Sequence, residues 1–169
     1  MSSLRQILWT FLGAPLFRMT PHIAHPVRTK LLQLFGMRCG RRVRTRKGVT
    51  IDKPWNVSAD DLVVFGDGAT VRASEPISIG KRCVISQYAM LLTQVGDVTS
   101  KGKTKKRAPI TIEDDVWVAT DAVVLPGSYI ESGVVVGARG MVDGKLPKWT
   151  ICTGEPATPR TTRVLYGQP

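Results

Sequence analysis

The side chains able to move protons or hold metals are few, and they sit apart from one another. The two histidines, His22 and His25, both lie near the N-terminus. A zinc site of the usual kind needs three or four nitrogen or sulfur ligands. The rest of the chain has no histidine, and Cys39, Cys83 and Cys152 lack metal-ligand spacing, so no metal site is expected. Cys39 and Cys83 read as small buried packers, and nothing in the three cysteines requires an oxidising compartment. Charge is the stronger signal. The net charge is +11, which points to an anionic partner. From Met1 to Ile51 there are ten Lys and Arg and no acid. A second group, Lys101, Lys103, Lys105, Lys106 and Arg107, is accompanied only by Asp97. Such clusters repel internally unless solvated or bound to an anion. Two readings of each stay open, a solvated face and a ligand surface.

These groups are positioned by a repeat. From Ile112 onward one place in every six is aliphatic: Ile112, Val118, Val124, Ile130, Val136 and Val142. The fifth place is small or aliphatic: Val116, Ala122, Ser128, Val134, Gly140 and Leu146. A helix would show spacings of three and four, and a half-buried strand a spacing of two. A period of six, with glycine and acids at the turns, is the pattern of a parallel β-helix. Three units make one coil, so Ile112 should stack on Ile130, Val118 on Val136 and Val124 on Val142. Earlier coils continue the column as Cys39, Thr45, Ile51, then Ala59, Phe65, Val71, then Ile79, Ile85, Leu91. That makes about five coils. The first is weakest, because Thr45 and the charged Arg46 and Lys47 dilute it.

Three segments follow. Residues 1–36 form a basic helical cap, in which Val27, Leu31, Leu34 and Phe35 share one helical face with Leu32 alongside, and Gly36 ends the helix. Residues 37–159 form the β-helix, with an excursion loop over 93–109. Residues 160–169 form a C-terminal tail. The apolar run Ile7–Phe17 is too short to span a bilayer and has no convincing leader cleavage site. The protein is therefore expected in the cytoplasm. The cap is either a solvated basic face or a peripheral attachment to the anionic inner face of the cell membrane, with Trp9, Phe11 and Leu12 as candidates for insertion. Nucleic acid is set aside, because no recognition motif or interleaved aromatic set is present.

Several stretches carry a family resemblance. They are Pro54-Trp55-Asn56-Val57, Ile79-Gly80-Lys81 running to Ile85-Ser86-Gln87-Tyr88-Ala89, Ile112-Glu113-Asp114-Asp115-Val116-Trp117-Val118, Gly137-Ala138-Arg139 and Gly154-Glu155-Pro156-Ala157. In these the chain resembles the hexapeptide-repeat acyltransferases, and within them the colanic acid biosynthesis acetyltransferases. The resemblance implies a left-handed, all-β parallel solenoid and a homotrimer with active sites between subunits. It implies acetyl transfer from acetyl-CoA to a hydroxyl of a sugar or glycan precursor. Trp117, Ala119, Thr120 and Ala138 match positions lining the CoA groove, and Asn56 matches a polar position on the acceptor side. Lys145, Lys148 and Arg160 are close enough to the final coil in sequence to meet the CoA phosphates. Trp117 has a second reading as a subunit contact, and Asn56 as a turn residue.

One departure stands against these matches. The family's general-base histidine follows the pattern aliphatic, x, Thr, x, x, His. Here Leu91-Leu92-Thr93-Gln94-Val95-Gly96 places Gly96 at the histidine position. Three accounts stay open: Asp97 acts as a substitute base, His22 or His25 reaches in, or the chain is a non-catalytic relative that binds CoA, a glycan or a partner.

Overall fold

The computed structural model describes residues 2–21, 23–96 and 104–165. Ser2–Leu8 and Ala14–Met19 are α-helical and flank a π-helical segment, Trp9–Gly13, in one continuous rod. Pro15 falls just after the widened turn, where its missing N–H interrupts no regular ladder. A second helix, His25–Leu34, follows. It ends on Gly36 at φ +95°, and the Met37 N–H returns to the Leu32 carbonyl at 3.0 Å, as a glycine helix stop requires.

This second helix is rotated from the expected orientation. Val27 and Leu34 face solvent, whereas Leu32 and Arg28 are buried and Leu31 and Phe35 only half-buried. The cause is polar. The open first coil leaves carbonyls to satisfy, and the Arg28 guanidinium donates to Thr45 O (2.8 Å), Pro21 O (2.8 Å) and Thr20 Oγ1 (3.1 Å). A buried cation with that many acceptors sets the rotation more firmly than an apolar stripe does.

The remainder is a three-sided solenoid. The first face stacks Arg38–Cys39, Val57–Ala59, Ile77–Ile79, Ile110–Ile112, Tyr129–Ile130 and Lys145–Leu146. The second stacks Arg44–Thr45, Val64–Phe65, Val84–Ile85, Trp117–Val118, Val135–Val136 and Thr150–Gly154. The third stacks Thr50–Ile51, Thr70–Arg72, Met90–Leu92, Val123–Val124 and Met141–Val142. All these pairings are parallel, and the registers Ile112↔Ile130, Val118↔Val136 and Val124↔Val142 are those of the six-residue period. The fifth places are inside too, so each unit buries two side chains in the prism. Five coils are complete, and a sixth closes on two sides.

The ends depart from the simple repeat. After Val142 a short turn advances the register, so Leu146 takes the inward strand position beside Ile130, and Cys152 lies beside Val136. The strand Ala157–Thr162 then folds back antiparallel on Thr150–Gly154 and covers the last coil. It runs three residues past the boundary expected at 159, which places Arg160 in a strand. Arg163 is held as well: Nη1 donates to Asp115 O (2.7 Å) and Gly133 O (3.0 Å). At the other end Thr45 is buried in the prism, and its Oγ1 has no hydrogen-bond partner among the described residues. This is the coil in which the repeat is weakest.

Candidate active site

The edge between the second and third faces is built from the turns Ser86–Ala89, Ala119–Ala122 and Gly137–Gly140. Each turn spends one residue in the left-handed region, Tyr88 (φ 59°), Asp121 (φ 57°) and Arg139 (φ 59°), so that a two-residue corner can return the chain to extended structure. Successive corners are tied by the Asp121 N–H to Gln87 O (3.2 Å) and the Arg139 N–H to Thr120 O (2.9 Å). Alternation along the strand sends Val118 inward and Trp117 outward. Trp117 is 48% exposed, yet it is not loose: its Nε1–H donates to Ser86 Oγ on the preceding coil at 2.8 Å. Ala119 and Thr120 are half-buried and Ala138 is exposed beside it. Arg160 reaches the end of the same edge, with Nε donating to Thr153 Oγ1 at 3.3 Å, and a Cβ at Gly137 would meet the Thr153 side chain. The result is a shallow track of one aromatic and small side chains, with Arg139 and Arg160 toward its end. Such a track suits a long, thin ligand with an anionic terminus. The sequence reading had no role for Ser86 or Arg139, although both stand in the matched stretches.

Lys145 and Lys148 are placed elsewhere. Lys145 lies on the first face, 2.7 Å from Glu131 Oε1 and 5.8 Å from the Tyr129 ring centroid. The Lys148 N–H donates to Glu131 Oε2 at 2.8 Å. The Lys145 hydrogen bond holds the Glu131 carboxyl below its usual range and raises the Lys145 ammonium. Beside them Glu113 accepts from the Tyr129 hydroxyl and from the Ser132 hydroxyl and N–H, which lower its pKa. Within one chain these two lysines do not join Trp117.

Asn56, expected on the acceptor side, and the 91–96 stretch lie on the edge between the third and first faces. Asn56 is half-buried, and its Nδ2 donates to Ala73 O (2.8 Å) and Ser74 O (3.4 Å). Thr93 is buried; its hydroxyl donates to Arg72 O (2.8 Å) and accepts from the Glu75 N–H (2.9 Å). From there the chain leaves as an antiparallel hairpin, Gln94–Gly96 against Lys105–Arg107, with Gly96 opposite Lys105. Lys106 Nζ lies 3.3 Å from Asp143 Oδ1. Gly96 is a strand residue outside the left-handed region, and a Cβ built there meets nothing within 4 Å. The glycine is therefore not required by backbone conformation or by crowding. Asp97 and His22 fall outside the described residues. His25 stays in the cap, with Nδ1 2.9 Å from Thr45 O and 3.0 Å from Arg28 Nη2, at the level of the first coil whereas Gly96 leaves the third. No group of three His, Cys, Asp or Glu among the described residues is arranged to hold a metal ion.

The two edges are separated by the whole third face, roughly 15–20 Å of chain at about 3.3 Å per residue. One solenoid thus presents the Trp117 track on one edge and the Gly96 hairpin on another.

No family model matches the chain. It is 38% identical over 157 residues to the colanic acid biosynthesis acetyltransferase WcaF of Escherichia coli K12, covering 93% of this chain and 86% of that protein. The chain belongs to the hexapeptide-repeat acetyltransferase family. Solved structures of such acetyltransferases agree in fold. A hexapeptide-repeat acetyltransferase of Vibrio cholerae O1 biovar eltor, complexed with acetyl coenzyme A, superposes with a TM-score of 0.84 at 19% identity, over 95% of this chain and 87% of that one. A galactoside acetyltransferase in complex with coenzyme A gives 0.86 at 18% identity, over 95% and 81%. The solenoid of this chain is the left-handed parallel β-helix of those structures.

Proposed function

We propose that this chain binds acetyl-CoA along the Trp117 edge and serves transfer of the acetyl group to a hydroxyl of a sugar or glycan precursor, without a histidine base at the family position. The observation that carries the donor half is the edge itself: Trp117, Ala119, Thr120 and Ala138 come together from two coils, and Trp117 is held by Ser86. Small side chains there let a pantetheine arm approach the backbone, and in this reading Arg160, at the end of the edge beside Thr153, meets phosphate. In the transfer the acceptor oxygen bonds to the thioester carbonyl carbon, the C–S bond breaks to release the CoA thiolate, and the hydroxyl proton leaves the oxygen and ends on that sulfur as CoA thiol. A positioned base contributes about 10²–10⁴ in rate. With Gly96 at that position, what remains is alignment of the reactants and stabilisation of the developing oxyanion.

The assembly in this reading is a homotrimer. From the second coil on, the outward column of the second face is apolar, Val64, Val84, Trp117, Val135 and Ile151, with Arg44 in the first coil, and the third face carries Met90, Val123 and Met141 after Thr50 and Thr70. The first face shows Ser58, Ser78, Thr111, Tyr129 and Lys145 instead. Two apolar outer faces favour packing against copies, and a neighbour would bring an acceptor hairpin to a donor track. Lys145, on the first face, belongs to this reading only through such a neighbour. A cytoplasmic position with peripheral attachment through the basic cap completes it; no helix among the described residues is long and apolar enough to cross a membrane.

A second reading, a non-catalytic relative that binds CoA or a glycan, is favoured by Gly96. Calorimetric titration with CoA and acetyl transfer to a panel of sugar hydroxyls separate the two. CoA binding with measurable transfer supports the first. CoA binding with no transfer supports the second. No CoA binding rejects both donor assignments.

A further inference from the structure

The helical rod that opens the chain has two faces of opposite character. Trp9, Gly13 and Phe17 recur every four residues and point into the cap. Trp9 Nε1–H donates to Ile51 O at 2.9 Å, and its ring meets Phe35 edge-on at 4.9 Å between centroids. The glycine is needed there, since a Cβ at Gly13 would strike the Trp9 and Phe35 rings. The opposite face carries Leu4, Leu8, Phe11, Leu12, Leu16 and Met19 at helical spacing, and all are exposed, Phe11 at 77% and Met19 at 80%. The rod is about 27 Å long at 1.5 Å per residue, so the stripe is a long convex apolar surface. Ile23 and Val27, also exposed, extend it past the rod.

We propose that this face lies flat in an anionic lipid surface, with the six side chains seated at the boundary of headgroups and acyl chains. The inference rests on the peripheral position proposed above and assigns it to one face of one helix. It also excludes Trp9 from insertion, because that ring is spent inside the cap. Charge selects the occupant. Every charged residue before Asp52 is a cation, so a second copy docking cap to cap would bring like charges together. A cavity in the cap lined by His25, Pro26, Thr29, Lys30, Arg42, Val43 and Arg44 is itself basic and so repels the same segment of another copy. An anionic bilayer satisfies both features at once: apolar side chains enter the interface while the cations stay with the headgroups. The rod is helical in the protein already, so binding orders no new backbone.

The test uses the full chain and vesicle flotation. Wild type should float with phosphatidylcholine–phosphatidylglycerol vesicles at physiological salt and bind phosphatidylcholine alone far less. The double substitution Phe11→Gln with Leu12→Gln, which leaves the charge unchanged and alters only exposed positions, should weaken binding by at least about tenfold. The thermal midpoint should not move. If the double variant binds as wild type does and added salt alone releases it, attachment is purely electrostatic; the apolar-face inference falls while the peripheral reading survives. No binding to either vesicle overturns both. If wild type instead forms assemblies that the double variant dissolves to a smaller species, the stripe is covered by a second copy and the lipid inference is wrong.

Discussion

Replacing Gly96 by histidine tests the chemistry most directly, because the structure removes the usual objections to such a change. Gly96 ends a strand, pairs with Lys105 and lies outside the left-handed region. A Cβ there meets nothing within 4 Å, so the imidazole enters open space. A glycine replaced where its backbone suits other residues lowers the entropy of the unfolded chain and stabilises by about 0.4–1 kcal/mol. The thermal midpoint should therefore hold or rise slightly. If the missing group is the base alone, acetyl transfer should rise by about 10²–10⁴, and CoA affinity, set on the other edge, should stay near wild type. The pH profile adds a signature. A free imidazole titrates near about 6.5. The Lys105 ammonium directly across the ladder opposes its protonation by about 0.7 kcal/mol at ~6 Å in water, or near half a pKa unit. Transfer by Gly96→His should thus rise with pH around a midpoint of about 6, and Lys105→Ala should move that midpoint up by about half a unit. The assay is initial thiol release with a sugar panel, beside calorimetry with CoA. A folded Gly96→His protein that binds CoA as wild type does and transfers no faster would refute the argument. Robust wild-type turnover would turn attention to Asp97, whose replacement by alanine should then abolish it.

Three further outcomes are expected. Val118→Asp places a charge in the prism between Ile85 and Val136, at a site with no exposure; a cost of several kcal/mol should prevent folding, and a soluble variant with unshifted melting would show that the inward column is misassigned. Trp117→Ala should weaken CoA binding by about tenfold while circular dichroism is unchanged; equal affinity would move the donor track to another edge. Glu113, Asp115 and Glu131 are held below their usual values, Glu113 first by Tyr129, Asp115 by Arg82 and Glu131 by Lys145. A depressed folded pKa stabilises above the unfolded value of about 3.9–4.3 and is lost as pH falls through the folded one. Melting should therefore be flat from neutral pH to about 5 and decline below about 4, and Glu113→Gln should flatten that decline; an unchanged slope would show that the Tyr129–Glu113–Ser132 bonds contribute nothing.

The solenoid was legible in the chain itself. A coil buries whatever occupies its first and fifth places, so Ile112, Val118 and Val124 announced both the period and their partners one coil along. The candidate donor positions came from the family resemblance, and the period adds that Trp117 faces outward beside the inward Val118. The vacancy at Gly96 was plain once the family pattern was set on Leu91-Leu92-Thr93-Gln94-Val95-Gly96. What the local pattern could not decide depends on contacts between distant segments. The rotation of the second helix follows from Thr45, Pro21 and Thr20 converging on Arg28, which no periodicity within Val27–Phe35 records. The register advance that seats Leu146 beside Ile130, and the return strand that carries Arg160 to the Trp117 edge, answer the need to close an open sheet end. Trp9 and Phe11 are two residues apart in an apolar run, yet one is buried and the other exposed; only the surface against which the rod packs distinguishes them. Lys145 and Ala138 are near neighbours in sequence, but the prism sends them to different sides. Composition and period determine an element and its register, whereas the direction in which an outward side chain finds its partner is set by the packed whole.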